Sequence, residues 1–145
     1  MPQFSNTSRK RLLTCDMRLQ TLFSHVIKLI DCTIICGKRS KDLQNLYYIQ
    51  NKSKVKWPNS KHNTLHPWEL SKAVDVAPYI KGKGIIWKPN QCYYFAGYVM
   101  HTANIMSIPI RWGGDWDKDI DVNDQSFNDL VHFELYESEL CSNSN

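Results

Sequence analysis

Ala73-Val74-Asp75-Val76-Ala77-Pro78 alternates side chains in the manner of a strand, and its one charged residue lies in the middle of the apolar run. Downstream, Ile80 to Trp87 reads as a glycine-containing hairpin, and Asn90 to about Ser107 as a helix carrying Tyr93, Phe95, Ala96, Val99, Met100, Ala103 and Ile105. Ile108 to Trp112 is a further strand. An acidic loop, Gly113 to Asp124, leads through a turn to a last strand, Val131 to Tyr136. Upstream, residues 51–72 contain Pro58, Pro67 and many Asn, Ser and Lys, and read as a long loop, of a length that is usually functional or disordered. Before it come a helix from Ser40 to Ile49 and a short buried strand, Thr33 to Cys36, stopped by Gly37. The N-terminal part predicts one long amphipathic helix, capped by Ser8 and ending near Asp31. Helices and strands mix without a regular βαβ repeat, so the expected class is α+β.

The chain has 145 residues, which suits a single domain over 1–145 with a polar, frayed tail from about residue 137. Hydrophobic content of 42% and charged content of 22% are ordinary for a globular protein. No apolar run is long enough to span a bilayer, so stable membrane insertion is not expected. The start is polar and then basic, without an apolar signal region; synthesis in a host cytoplasm without a signal peptide is the expectation. Five scattered cysteines (Cys15, Cys32, Cys36, Cys92, Cys141) form no CxxC pair and read as free thiols. Net charge is +4 and uneven: residues 1–72 hold 13 Lys/Arg against 4 Asp/Glu, residues 73–145 hold 5 against 10. A basic half suits an anionic polymer, but no recognisable nucleic-acid-binding pattern accompanies it, so no nucleic acid is expected as partner.

Three strings carry chemistry: Ser60-Lys61-His62 with Asp75 downstream, Asp129-Leu130-Val131-His132-Phe133-Glu134, and Gly37-Lys38-Arg39. A hydrolytic zinc site needs about three N/O ligands and one open position for water. His62, Asp75 and His132 can supply the ligands. Asp129, three residues before His132, can reach past it as a general base. Arg39 can stabilise an oxyanion or hold a substrate carboxylate. Spacing alone does not single out this set.

The strings Ser60-Lys-His62…Ala73-Val-Asp75-Val-Ala-Pro-Tyr79 and Asp129-Leu-Val-His132-Phe-Glu-Leu135 resemble the SxH…AxD and (D/E)xxH signatures of the D-Ala-D-Ala carboxypeptidase and L-Ala-D-Glu endopeptidase family. The likeness runs from about Phe4 to Leu135. Thr14-Cys-Asp-Met-Arg-Leu-Gln20, Asp31-Cys-Thr-Ile34, Gln44-Asn45, Phe95-Ala-Gly-Tyr98 and Arg111-Trp-Gly-Gly-Asp-Trp-Asp117 are similar to the phage endolysin branch. The resemblance implies a Hedgehog/DD-peptidase-like α+β fold, with a central, mostly antiparallel sheet and flanking helices. It implies one zinc on His62, Asp75 and His132, Asp129 as general base, Arg39 in the oxyanion or substrate role, and Ser60 supporting the first ligand. The implied partner is the peptidoglycan stem peptide, cut at its L-Ala-D-Glu or its D-Ala-D-Ala bond by a monomeric enzyme acting on the wall after release. A catalytically inactive module of the same fold that binds wall peptides is the alternative.

His62 lies thirteen residues before Asp75, farther than the family usually allows, and His66 lies between them. The Ser-Lys-His-Asn string favours His62 as the ligand, with His66 and Trp68 in an inserted surface segment. His25 and His101 read as structural or surface residues, and Glu134 as a residue that shares a strand face with His132. Tyr47, Tyr48, Tyr93, Tyr94 and Phe95 read as core, and the lysines from Lys52 to Lys61 as a solvated loop. Asp115 to Asp121 places acids at alternate positions in the manner of a calcium loop, yet lacks the glycine and terminal Glu of an EF-hand; calcium is a secondary expectation there.

Overall fold

A computed structural model describes residues 1–137; the polar tail expected beyond Glu137, with Cys141, lies outside the described residues. The elements are α1 (Asn6–Leu12), α2 (Met17–Leu29), β1 (Cys32–Cys36), α3 (Lys41–Ile49), β2 (Ala73–Ile80), β3 (Gly84–Ile85), α4 (Pro89–Ile105), β4 (Ile110–Trp112) and β5 (His132–Leu135). The sheet runs β1-β2-β5-β4, with β3 paired to the end of β2 as the expected hairpin, and every pairing is antiparallel. This is the α+β class anticipated from the sequence.

The single long N-terminal helix is not observed. The chain leaves the helix after Leu12, because residues 14–16 pair with a strand-like residue from the distant loop. Asp16 N–H donates to the Ser71 carbonyl at 2.8 Å, and Ser71 N–H donates to the Thr14 carbonyl at 2.9 Å. Asp16 then starts α2 afresh, its carboxylate accepting from Arg18 N–H at 2.9 Å. Ser5, not Ser8, caps α1; Ser8 is buried and accepts from the Ile34 N–H at 3.1 Å.

Strand alternation assigns the two faces of the sheet. Val74 lies opposite Phe133, and Phe133 opposite Trp112; these side chains, with Ile34, Val76, Ile110 and Leu135, belong to one apolar cluster. α2 contributes Leu19, Leu22, Phe23, Val26 and Ile27, spaced as one stripe of a helix, and α4 contributes Phe95, Ala96, Val99 and Ala103. Phe133 is the hinge of this packing, with Phe23 and Phe95 edge-on to it at 5.7 and 6.1 Å between ring centres. Each such ring contributes about 1.5–3 kcal/mol through its burial. The intervening residues, Asp75, His132, Glu134 and Arg111, fall in register on the opposite face. The apolar half of the molecule therefore fixes where the charged half points. Among the described residues no helix is long and apolar enough to cross a membrane.

Candidate metal centre

Asp75 on β2 and His132 on β5 are direct cross-strand partners, and His62 reaches them from the loop before β2. His62 Nε2 stands 3.0 Å from Asp75 Oδ1 and 3.1 Å from His132 Nδ1, and His132 Nδ1 stands 3.1 Å from Asp75 Oδ1. The outer ring nitrogens set the tautomers. His62 Nδ1 lies 2.7 Å from the Gly37 carbonyl and must donate to it; His132 Nε2 lies 2.9 Å from Glu134 Oε1 and donates there. In the neutral rings, three lone pairs then converge on one point, which is unfavourable unless a proton or cation occupies it. Donors on a tetrahedral ion with bonds of about 2.0–2.1 Å stand roughly 3.3 Å apart, so the observed spacing fits a metal held on three ligands.

Without a cation, protons relieve the crowding. Burial opposes charge on His62, but the Asp75 carboxylate overcomes it and raises the group to about 10. His132 is raised against the same burial by its bonds to Asp75 and Glu134. Burial works against ionised Asp75, yet the two histidines hold it well below the usual carboxylate range. Glu134 is held down to about 2 against its burial, by His132 first and then by Arg111 and Lys61. Its expected place on the His132 face is observed, and it fixes the orientation of that ring.

Asp129 Oδ2 stands 4.0 Å from His132 Nδ1, close enough for its carboxylate to group with Asp75 and His132 around one ion. Burial and then the charge of Asp75 push its carboxyl upward, the direction that a proton-transferring carboxylate needs. Its position is set by Gly113: Asp129 N–H donates to the Gly113 carbonyl at 2.8 Å, and Gly113 N–H donates to the His132 carbonyl at 2.9 Å. A Cβ on Gly113 would run into the Asp129 backbone. Gly113→Ala is therefore expected to keep metal but lower kcat by about 10²-fold, the effect of misplacing a reacting group by about 1 Å; unchanged kcat with an intact fold would remove Gly113 from this role. Gly37 is a second close approach: a Cβ there would collide with Thr14, Arg11 and Cys15, so glycine lets its carbonyl reach His62.

Arg39 is buried, and its guanidinium is committed inside the site. Nη2 donates to Asp75 Oδ2 at 3.2 Å, Nη1 donates to Gln44 Oε1 at 2.9 Å, and the unpartnered Nε is closed to solvent. Gln44 in turn donates to Ser53 Oγ and the Val55 carbonyl at 2.8 and 2.7 Å, tying α3 to the long loop. Ser60 Oγ accepts from His62 N–H at 3.2 Å and so shapes the loop that carries His62.

The cleft above these groups, about 360 Å³, lies between the loops 52–61 and 111–129. The lysines from Lys52 to Lys61 are exposed, as expected, and Lys52, Lys54 and Lys61 also line the cleft. Tyr47 also lines it, under the Arg39 guanidinium at 4.8 Å, while Tyr48 and Tyr94 are exposed; of the five aromatics read as core, only Phe95 is fully buried. Trp116, part of the Arg111 to Asp117 string but given no role from the sequence, has its ring centre 5.4 Å from that of His132. His66 is exposed and stacks on Trp68 at 4.6 Å, away from the donor set. His66→Ala is expected to leave metal content unchanged, and a loss of metal in that variant would overturn the choice of His62. His25 and His101 are exposed. Cys15, Cys32 and Cys92 are buried free thiols; Cys36 is half-buried and lies opposite Asp75 across the β1–β2 pairing. In the acidic loop, Asp115, Asp117 and Asp119 approach one another, but Asp115 accepts backbone N–H groups of its own loop, and we assign no ion there.

The chain belongs to the family of phage L-alanyl-D-glutamate peptidases, whose profile matches residues 1–136. It is similar to the L-alanyl-D-glutamate peptidase of Escherichia phage T5, with 31% identity over 129 residues that cover 85% of this chain and 88% of the relative. Its fold is similar to the crystal structure of the Serratia marcescens L-Ala D-Glu endopeptidase ChiX, with a TM-score of 0.71 and 22% identity, covering 92% of this chain and 90% of that one.

Proposed function

We propose that the protein is a zinc-dependent endopeptidase that hydrolyses the L-Ala-D-Glu bond of the peptidoglycan stem peptide. The convergence of His62 Nε2, His132 Nδ1 and Asp75 Oδ1 at 3.0–3.1 Å, with outer hydrogen bonds that aim the lone pairs of the neutral rings at one point, carries the metal reading. Two imidazoles and one carboxylate suit zinc, and three ligands leave a position for water. The family and the named relatives support the choice of this bond over D-Ala-D-Ala. A zinc held by His62, Asp75 and His132 would supply Lewis acidity toward a water and the scissile carbonyl.

The protein's own groups do the rest. Asp129 takes the proton of the attacking water and returns it to the leaving nitrogen of D-Glu. Arg39 holds Asp75 in register, so its role is to position a ligand rather than to meet an oxyanion. Ser60 holds the His62 loop, and Glu134 fixes the His132 ring. The family and the named relative are peptidases, which favours the enzyme over a wall-peptide binder without turnover. Release from the host cytoplasm to the wall is the corresponding setting.

Elemental analysis of the purified protein tests the metal. One zinc per chain is expected, with hydrolysis of purified walls lost on chelation and restored by zinc. A metal-free preparation that degrades walls at full rate would overturn the reading.

A further inference from the structure

Five cationic side chains line the cleft, and three are already matched. Arg39 holds Asp75 at 3.2 Å, while Arg111 and Lys61 hold Glu134 at 3.0 and 3.4 Å. Lys52 and Lys54 remain. Among the described residues neither has a carboxylate partner; Lys52 Nζ lies 5.5 Å from the Tyr47 ring centre and Lys54 Nζ 5.2 Å from that of Phe127. Those rings lead straight to the donor set. Tyr47 packs on Arg39, which holds Asp75, and Phe127 stacks on Trp116 at 6.5 Å, which lies against His132. Two unmatched ammonium groups thus line the same cleft as the donor set, resting on half-buried rings that hold them only weakly. They are free to turn to an anion.

The substrate chemistry defines that anion. In a stem peptide D-Glu is linked onward through its γ-carboxyl, so its α-carboxyl sits on the carbon bonded to the scissile nitrogen. That group is either a free carboxylate or an amide. It stays within about one residue length of the reacting carbonyl, roughly 3.5 Å, whatever the rest of the peptide does.

We propose that Lys54, assisted by Lys52, reads the free α-carboxylate of D-Glu, so that the protein selects stem peptides that are not amidated at this position. The inference rests on the L-Ala-D-Glu reading of the site. A neutral amide offers the ammonium no charge and leaves the cleft's surplus positive charge unmatched, which places the discrimination in KM.

The test uses two synthetic peptides, N-acetyl-L-Ala-γ-D-Glu-L-Lys amide and its D-isoglutamine counterpart, with zinc-loaded protein. The wild type is expected to favour the free acid by about tenfold in kcat/KM, through KM, with the preference shrinking as salt is added. In the Lys52→Met/Lys54→Met double variant the ratio should fall to near one at unchanged zinc content, and Lys54→Arg should keep it. Equal cleavage of both peptides by the wild type, or a preference that survives in the double variant, overturns the proposal. If wild-type protein degrades walls but cuts neither peptide between L-Ala and D-Glu, the bond assignment itself fails, and the inference falls with it.

Discussion

Asp129→Asn is expected to lower turnover by about 10²–10⁴-fold while the protein keeps its metal. The substitution preserves shape and removes basicity. Asp129 stands 4.0 Å from His132 Nδ1 and takes no part in the three-atom convergence at 3.0–3.1 Å, so the metal is expected to remain. Its backbone bonds to Gly113 and His132 are untouched by the change, and the cleft keeps its form. The loss should therefore appear in kcat and spare KM, and the acidic limb of the pH–rate profile should disappear with the carboxylate. Turnover near the wild-type rate would remove Asp129 from the chemistry. A variant that loses metal would show instead that Asp129 is a ligand.

His132→Ala is expected to abolish both metal binding and activity. The substitution removes one of three donors, leaves Glu134 without its buried partner at 2.9 Å, and leaves Asp75 with only His62 and Arg39. Breaking such a buried network by deleting one partner costs about 3–5 kcal/mol, so thermal stability should fall as well. The titration of the same groups gives a further expectation. In the metal-free protein, His62, raised to about 10, is protonated at neutral pH, and the stability from its pairing with Asp75 is fully present below its unfolded value and lost as pH rises through about 10. Zinc must displace that proton. Binding to metal-free wild type near pH 7 is therefore expected to release at least about one proton per chain, read by calorimetry in buffers of different ionisation enthalpy, and affinity should rise with pH. Binding without proton release would contradict the ligand set.

The fold was legible where the determinants are local. Ala73 to Pro78 alternates around Asp75, and the observed β2 buries Val74 and Val76 on one face and turns Asp75 to the other. α3 and α4 begin and end close to where capping residues and periodicity place them. The break between α1 and α2 was not legible, because it depends on Ser71 pairing with Thr14 and Asp16 across more than fifty residues. His62, Asp75, His132 and Asp129 stand out through their family strings, and the structure brings these four side chains together. What surrounds them was not legible. Gln44 enters the sequence reading only as part of the Gln44-Asn45 string; its complete burial, with bonds to Arg39, Ser53, Val55 and Asn63, shows that it holds the site. Arg39 reads as a substrate-facing cation; in the structure it lines the cleft with its guanidinium bonded to Asp75 and Gln44, partners its sequence neighbours do not reveal. Gly113 becomes meaningful only when Asp129 is seen packed against it.

Mass spectrometry of the fragments released from purified peptidoglycan, with and without chelator, tests the central claim most directly. The account predicts peptides that begin with D-Glu and glycan strands left bearing only L-Ala, both absent when the metal is removed. Release of terminal D-Ala with the L-Ala-D-Glu bond intact, or the same fragments at full yield under chelation, would contradict it.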